Sequence, residues 1–345
     1  MSQRAVWGAI FANLVIALAK FDGYRHTGSA AMFSEGVHSL VDAGNGSLLL
    51  VGLRLSRRPA DETHPFGYGK ELYFWTLIVA LLVFALGGGI SILEGVLAVR
   101  APELLHGVGW NYAILAVAFV FEGSSLLVAL GQFRAGQPPA EAGGQEPSGR
   151  PLPANEGGQA KRGEPLSIWS AIHRSKDPST FTIIFEDSAA LVGLTIAFLG
   201  LLSHQLFGWE SADGVASIAI GVLLMLVALL LVSESRALLV GEGADRATLR
   251  RIRQLALADP AVERAGYPMT MYFGPHNVLL TMDIQFGRNL SGTSIEQAVD
   301  RVEAAIRKQF PEVRYIYLEV EAVRSVPRGE EITFPTPEEP PPSLE

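Results

Sequence analysis

No cysteine occurs anywhere in the chain, which excludes disulfides, thiolate metal sites and thiol nucleophiles together. Any metal it handles must be held by nitrogen and oxygen. Charge is sparse as well: Asp, Glu, Lys and Arg make up 18% of the 345 residues, and 35 acidic residues outnumber 27 basic ones. The net charge of -8 argues against a nucleic-acid partner, which a basic face would mark. Much of it lies in the C-terminal end and tail, so it says little about other partners. No nucleophile–base set and no phosphate loop is recognisable, so the chain is not expected to be an enzyme.

What the sequence has in abundance is apolar matter, 49% of residues with a mean hydropathy of +0.27. Six windows are long enough, or nearly so, to cross about 30 Å of hydrocarbon: 6–20, 33–55, 74–99, 112–133, 182–206 and 215–232. The expected fold class is therefore an α-helical membrane protein of six transmembrane helices with a soluble appendage. The first window lacks a small-residue cleavage site and reads as a retained helix rather than a signal peptide.

Lys and Arg set the orientation. Arg54, Arg57, Arg58 and Lys70 lie between or beside spans two and three, and Arg134, Arg150, Lys161, Arg162, Arg174 and Lys176 between spans four and five. The connection between spans three and four holds only Arg100, and that between five and six holds none. The positive-inside rule then puts both termini in the cytoplasm. Lys20 and Arg25, at the outer end of the first hairpin, run against the rule.

Residues 1–240 are expected to form the membrane domain, interrupted by a Gly-, Pro- and charge-rich cytoplasmic linker over 135–178. Residues 241–325 read as a cytoplasmic α+β domain in the order αββαβ, a ferredoxin-like two-layer unit. Its elements are a helix over 248–258, strands over 262–273 and 277–286 joined at Gly274-Pro275, a second helix, and a strand over 313–323. Val278, Leu280, Met282, Ile284 and Phe286 alternate with more polar positions at the period of a half-buried strand. Thr293-Ser294-Ile295-Glu296 reads as a capping box, and Ile295, Val299, Val302 and Ile306 mark one face of the helix after it. The tail, 326–345, is acidic, proline-rich and expected to be disordered.

Within the second span, His38 and Asp42 are four residues apart and share one helix face, so imidazole and carboxylate can converge on one cation. Ionisable groups are costly in hydrocarbon and face a partner or an aqueous path. The alternative is a polar pair satisfied between helices.

Two stretches carry a family resemblance: Thr27-Gly28-Ser29-Ala30-Ala31 leading into Glu35-Gly36-x-His38-Ser39-x-x-Asp42, and the loop His64-Pro65-Phe66-Gly67-Tyr68-Gly69-Lys70. With six spans and an αββαβ domain, the chain resembles the cation diffusion facilitator family of divalent-metal transporters. That resemblance implies a homodimer exchanging cytoplasmic Zn2+, or in some branches Mn2+, Fe2+ or Co2+, for protons. It also implies a transport site with H/D-x-x-x-D pairs from spans two and five. His38 and Asp42 match the first pair. In the fifth span Asp187 and Gly193 fall in register, which leaves Ile183 where His or Asp is usual.

The nearest substitute for that ligand is Glu186, though adjacent helical residues point about 100 degrees apart. Glu122, inside the fourth span, is another candidate or else a partner for a neighbouring helix. Asn45 can add an oxygen or bond a helix backbone, and Glu35 is expected near the outer mouth, open to solvent. The expected metal set is His38, Asp42, Glu186 and Asp187. One imidazole with several carboxylates suits Zn2+, and makes Mn2+ or Fe2+ more plausible than two imidazoles would. The metal is cargo, and no tightly bound cofactor is expected.

Metal binds deprotonated ligands, so His38 is the expected proton carrier, and His38→Asp should alter the pH dependence of transport. Further metal sites of the family look degraded. Asp61 and His64 match in the loop, but Tyr68 stands for a second His. His276, Asp283, Glu319 and Glu321 form no recognisable cluster. The leading expectation is a proton-coupled exporter in a plasma or inner membrane, with lipid, protons, a divalent cation and a second copy as partners. The alternative is a non-transporting metal sensor or scaffold.

Overall fold

The computed structural model describes residues 3–102, 105, 107–135 and 178–320; the expected linker and acidic tail lie largely or wholly outside them. Two compact units result, one of Met1–Pro59 and Lys70–Leu239, the other of Ala60–Gly69 and Val240–Glu345.

The first unit is helical. α1 (Gln3–Thr27) and α2 (Ala30–Ser56) form a hairpin that turns at Gly28, whose φ of 74° favours a residue without Cβ. α3 (Glu71–Leu82) passes through a π-helical stretch, Val83–Gly89, into α4 (Ile90–Arg100). α5 (Gly109–Ala135), α6 (Pro178–Phe207) and α7 (Ala212–Val240) follow.

Helices cover all six expected windows, but apolarity marks four of them as candidate spans among the described residues: Glu71–Arg100, Gly109–Gly131, Phe181–Phe207 and Ala212–Val240. α1 and α2 are not among these, and α2 carries polar groups within its length. In α2 these are Glu35, His38, Asp42 and Asn45, the residues of interest.

Two glycine pairs bring α7 against α4 and the end of the π stretch, backbone to backbone. A Cβ on Gly95 would lie 2.6 Å from the Gly214 carbonyl oxygen, and one on Gly221 would lie 2.8 Å from that of Gly88. Small residues at such crossings permit close approach where no hydrophobic effect drives helices together.

In the second unit, α8 (Arg246–Leu257) is capped by Asp245, which accepts from the Ala247 and Thr248 amides. The expected strand over 262–273 is two strands, β1 (Val262–Ala265) and β2 (Met269–Gly274), so the order is αβββαβ rather than αββαβ. Gly266-Tyr267-Pro268 breaks it, proline having no amide to donate. β1 and β2 lie end to end along one edge of β3 (Asn277–Phe286), both antiparallel to it, while β4 (Val313–Val320) runs parallel on the other edge.

Val278, Leu280, Met282, Ile284 and Phe286 are all buried, as their alternation predicts. They pack against Ile252 and Ala256 of α8 and Ala298, Val302 and Ile306 of α9 (Gly292–Gln309). The cap of α9 is Ser291, not the box at Thr293: extended Ser291 accepts from the Ser294 amide, so the helix starts one residue before Thr293.

The helix-free face of the sheet takes up the loop Ala60–Gly69. Phe66 stacks on Phe273 with centroids 4.6 Å apart and meets Tyr315 edge-on at 5.2 Å. Gly69 lies against the Phe273 carbonyl so closely that any Cβ would collide with backbone.

Candidate metal site

The rotation of α2 is fixed at its start. Ser29 caps it, accepting from the Met32 amide at 3.2 Å. Asp213, near the start of α7, accepts from Ser29 Oγ at 2.6 Å and from the backbone amides of Ala30 and Ala31. One buried carboxylate thus satisfies amides that a helix N-terminus leaves unpaired. Nothing in the sequence pattern pointed to Asp213, because its partners lie more than 180 positions away. A second tie follows one turn later, where Ser34 and Ser217 hydroxyls meet at 2.6 Å.

So oriented, α2 presents Glu35, His38 and Asp42 on one face. His38 Nε2 lies 3.5 Å from Asp42 Oδ2, and His38 is 2% exposed. Both His38 ring nitrogens and Asp42 Oδ1 are buried without a hydrogen-bond partner. Buried polar atoms in folded proteins are almost always bonded, so such a group needs an explanation.

Asn45, one turn further on, donates from Nδ2 to Glu186 Oε1 of α6 at 2.8 Å, leaving its own Oδ1 unpartnered. It therefore bonds a side chain across helices rather than a helix backbone. Asp187 is held differently, by a hydrogen bond from Ser125 of α5, with Oδ2 free. The divergence of adjacent residues about the helix axis shows here: Glu186 is tied to α2 and Asp187 to α5. Glu122 of α5 is 2% exposed, and its Oε1 has no partner. Glu186, Glu122 and Asp187 all lie within electrostatic range of Asp42. Ile183 packs with the apolar cluster around Phe181 and Ile184.

Among the described residues no three His, Asp or Glu side chains are gathered closely enough to hold a metal at once. The donors are spread over α2, α5 and α6, within electrostatic range of Asp42, and form no closed coordination shell.

One expectation is overturned. Glu35 is not at a solvent-open mouth: it is fully buried, with Oε2 accepting from Lys20 Nζ at 2.8 Å. Lys20 lies inside α1, also fully buried, and donates to Ser39 Oγ at 2.8 Å as well.

The loop carboxylate Asp61 is occupied by its own turn: Oδ1 accepts from Thr63 Oγ1 and the Thr63 and His64 amides, and Oδ2 from the Tyr68 hydroxyl at 2.7 Å. These bonds, Tyr68's first, hold the carboxyl well below its usual range. Asp61, His64 and Tyr68 build a loop. In the sheet unit His276 and Glu319 are exposed. Asp283 is half-buried and aligned with Glu319 across β3 and β4, with no ligand cluster among the described residues; Glu321 lies outside them.

The family model described as the cation efflux transmembrane domain matches residues 6–240. The human protein named proton-coupled zinc antiporter SLC30A9, mitochondrial, is 28% identical over 92% of this chain and 58% of its own length. Metal tolerance protein C4 of Arabidopsis thaliana is 30% identical over 83% of this chain and 57% of its own. The chain thus spans somewhat more than half the length of these relatives. Cation-efflux pump FieF of Escherichia fergusonii is 24% identical over 90% of this chain and 89% of its own. A solved nickel form of the MamM CTD is similar to 23% of the chain, at 19% identity and a TM-score of 0.22. With a family model matching well over half of the sequence, the chain belongs to the cation diffusion facilitator family of metal transporters.

Proposed function

We propose that this protein is a proton-coupled antiporter that exports a divalent cation from the cytoplasm by alternating access. The observation that carries the reading is the set of buried, unpartnered donor atoms: the His38 ring nitrogens and Asp42 Oδ1 on α2, and Asp187 Oδ2 on α6, with Glu186 within electrostatic range of Asp42. His38, Asp42, Glu186 and Asp187 are the ligands in this reading. They close on the ion when α6 shifts against α2, and they take up protons when it leaves.

Zn2+ is favoured, because it accepts a tetrahedron of one imidazole and carboxylates; the name of the human relative supports the same metal and the same coupling. Mn2+, Fe2+ and Co2+ are the alternatives. In this reading the first unit crosses the bilayer six times, with α3, the π-helical stretch and α4 forming one span. The α+β domain and both termini are cytoplasmic, and two copies work as a dimer. A plasma or inner membrane is the assigned site, with an organellar membrane as the alternative that the mitochondrial relative favours.

A second reading, a metal sensor or scaffold that does not transport, rests on Ile183 and on the absence, among the described residues, of three ligands close enough to hold a metal. Uptake of Zn2+, Mn2+, Fe2+ and Co2+ into proteoliposomes under an imposed pH gradient separates the two. Gradient-driven uptake of a metal that Asp187→Ala abolishes is the expected result. No uptake by a folded dimer would favour the second reading.

A further inference from the structure

Lys20 is a fully buried cation of the helical unit that the transport scheme leaves unused. Its ammonium is fully buried and reaches Glu35 Oε2 and Ser39 Oγ, each at 2.8 Å. It also lies within electrostatic range of His38, Asp42 and Glu122. Glu35 precedes His38 by three residues and Asp42 by seven, so the carboxylate that Lys20 binds continues the ligand stripe by one turn.

The other oxygen, Glu35 Oε1, is buried without a partner. It points at Gly193 of α6, where a Cβ would come within 2.5 Å of it. The glycine leaves a notch that admits the carboxylate, and three helices meet there: Lys20 on α1, Glu35 on α2 and Gly193 on α6. Burying an ion pair contributes little stability compared with apolar side chains of the same volume. Ionisable groups within membrane helices mark ion pathways.

We propose that the Lys20 ammonium is a tethered cation that neutralises Glu35 whenever the site holds no metal, so that the empty carrier can reorient. The inference rests on the transport reading above. Without Lys20 the metal-free site carries an uncompensated carboxylate through a low-dielectric step. With metal bound, the divalent ion supplies the compensation. Lys20 is a positioning residue that acts through Glu35, and it competes with the metal for the stripe.

The test uses the full chain in proteoliposomes with radiolabelled Zn2+ in two assays: net uptake driven by a pH gradient, and exchange against unlabelled internal Zn2+. Exchange needs only the loaded carrier, whereas net uptake needs the empty one to return. Lys20→Met is expected to lose net uptake, keep exchange, and half-saturate at several-fold lower Zn2+. Lys20→Arg is expected to keep both. Lys20→Met/Glu35→Gln, which removes both charges together, is expected to recover net uptake.

Unchanged net uptake in Lys20→Met would overturn the proposal, as would parallel loss of net uptake and exchange in folded protein. If Lys20→Met does not fold, the double variant decides: a folded double variant with exchange but no net uptake overturns it. Wild-type protein inactive in both assays would instead overturn the transport reading on which this one rests.

Discussion

Asn45 and Glu186 are joined side chain to side chain, Nδ2 to Oε1 at 2.8 Å, and the bond ties α2 to α6 one turn from Asp42. The link holds a carboxylate at the edge of the site without spending it on a cation. Asn45→Ala leaves the half-buried Glu186 without that donor, a loss of about 1 kcal/mol. The metal-free variant is expected to melt at lower temperature than wild type. Added Zn2+ should then raise its melting temperature by more than it raises that of wild type, because a released Glu186 is free to coordinate. Equal shifts in both proteins would remove Glu186 from the ligand set.

Glu186 and Glu122 compete for the place vacated at Ile183. The tie to α2 favours Glu186. Glu186→Gln should weaken Zn2+ binding about tenfold, worth about 1.4 kcal/mol, while Glu122→Gln leaves it nearly unchanged. Calorimetric titration of both purified variants checks this, and the reverse ranking would hand the role to Glu122.

In the sheet unit, Arg301 forks onto Asp259, Nε to Oδ2 at 2.7 Å and Nη2 to Oδ1 at 2.9 Å, linking α9 to the turn after α8. These bonds hold the Asp259 carboxyl below its usual range. A depressed folded value means the contribution is complete above the unfolded value of about 3.9. It is lost as pH falls from there through the folded value. Asp259→Asn should cost about 1 kcal/mol at neutral pH, the upper end for a pair that is half in solvent. Wild type and variant should converge in stability once the pH has fallen below the folded value. Hydrogen exchange in α9 as a function of pH measures both, and a pH-independent difference would contradict the assignment.

The glycine crossing makes a sharper demand. A Cβ on Gly214 would meet the Val99 amide nitrogen at 2.8 Å and the Gly95 carbonyl oxygen at 2.9 Å, both backbone. Gly214→Ala should cost about 1–3 kcal/mol and reduce the yield of monodisperse protein. Gly8→Ala, with nothing within 4 Å, should not. Equal yields and melting temperatures would show that the helices separate easily there.

Local periodicity made much of this legible in advance. The alternation over 277–286 and the spacing from Ile295 to Ile306 are set by neighbours within a few residues; the strand face is buried, and the helix face packs on it with Ile295 and Val299 half-buried. His38 and Asp42 were visible for the same reason. The relationships that escaped are those between distant positions. Lys20 and Glu35 lie 15 residues apart on opposite arms of a hairpin, and Asp213 reaches Ser29 across 184 positions. Glu35 was expected at a solvent-open mouth from its place near the start of the second window, which carries no sign of an ammonium approaching from another helix. The break at Gly266-Tyr267-Pro268 did carry a signal, a glycine and a proline inside an apolar run, that a β reading should have heeded.

The docking of Phe66 on Phe273 and Tyr315 means that a unit boundary does not coincide with a single cut in the chain. Residues 60–69 are encoded among the helices yet belong, by packing, to a body that resumes only at 240. Ending the chain at 239 would strand that aromatic ring without its stacking partners, and grafting 240–345 onto another protein would carry an unfilled seat. The α+β domain is thus not a modular cassette: what looks separable in sequence is stitched in three dimensions.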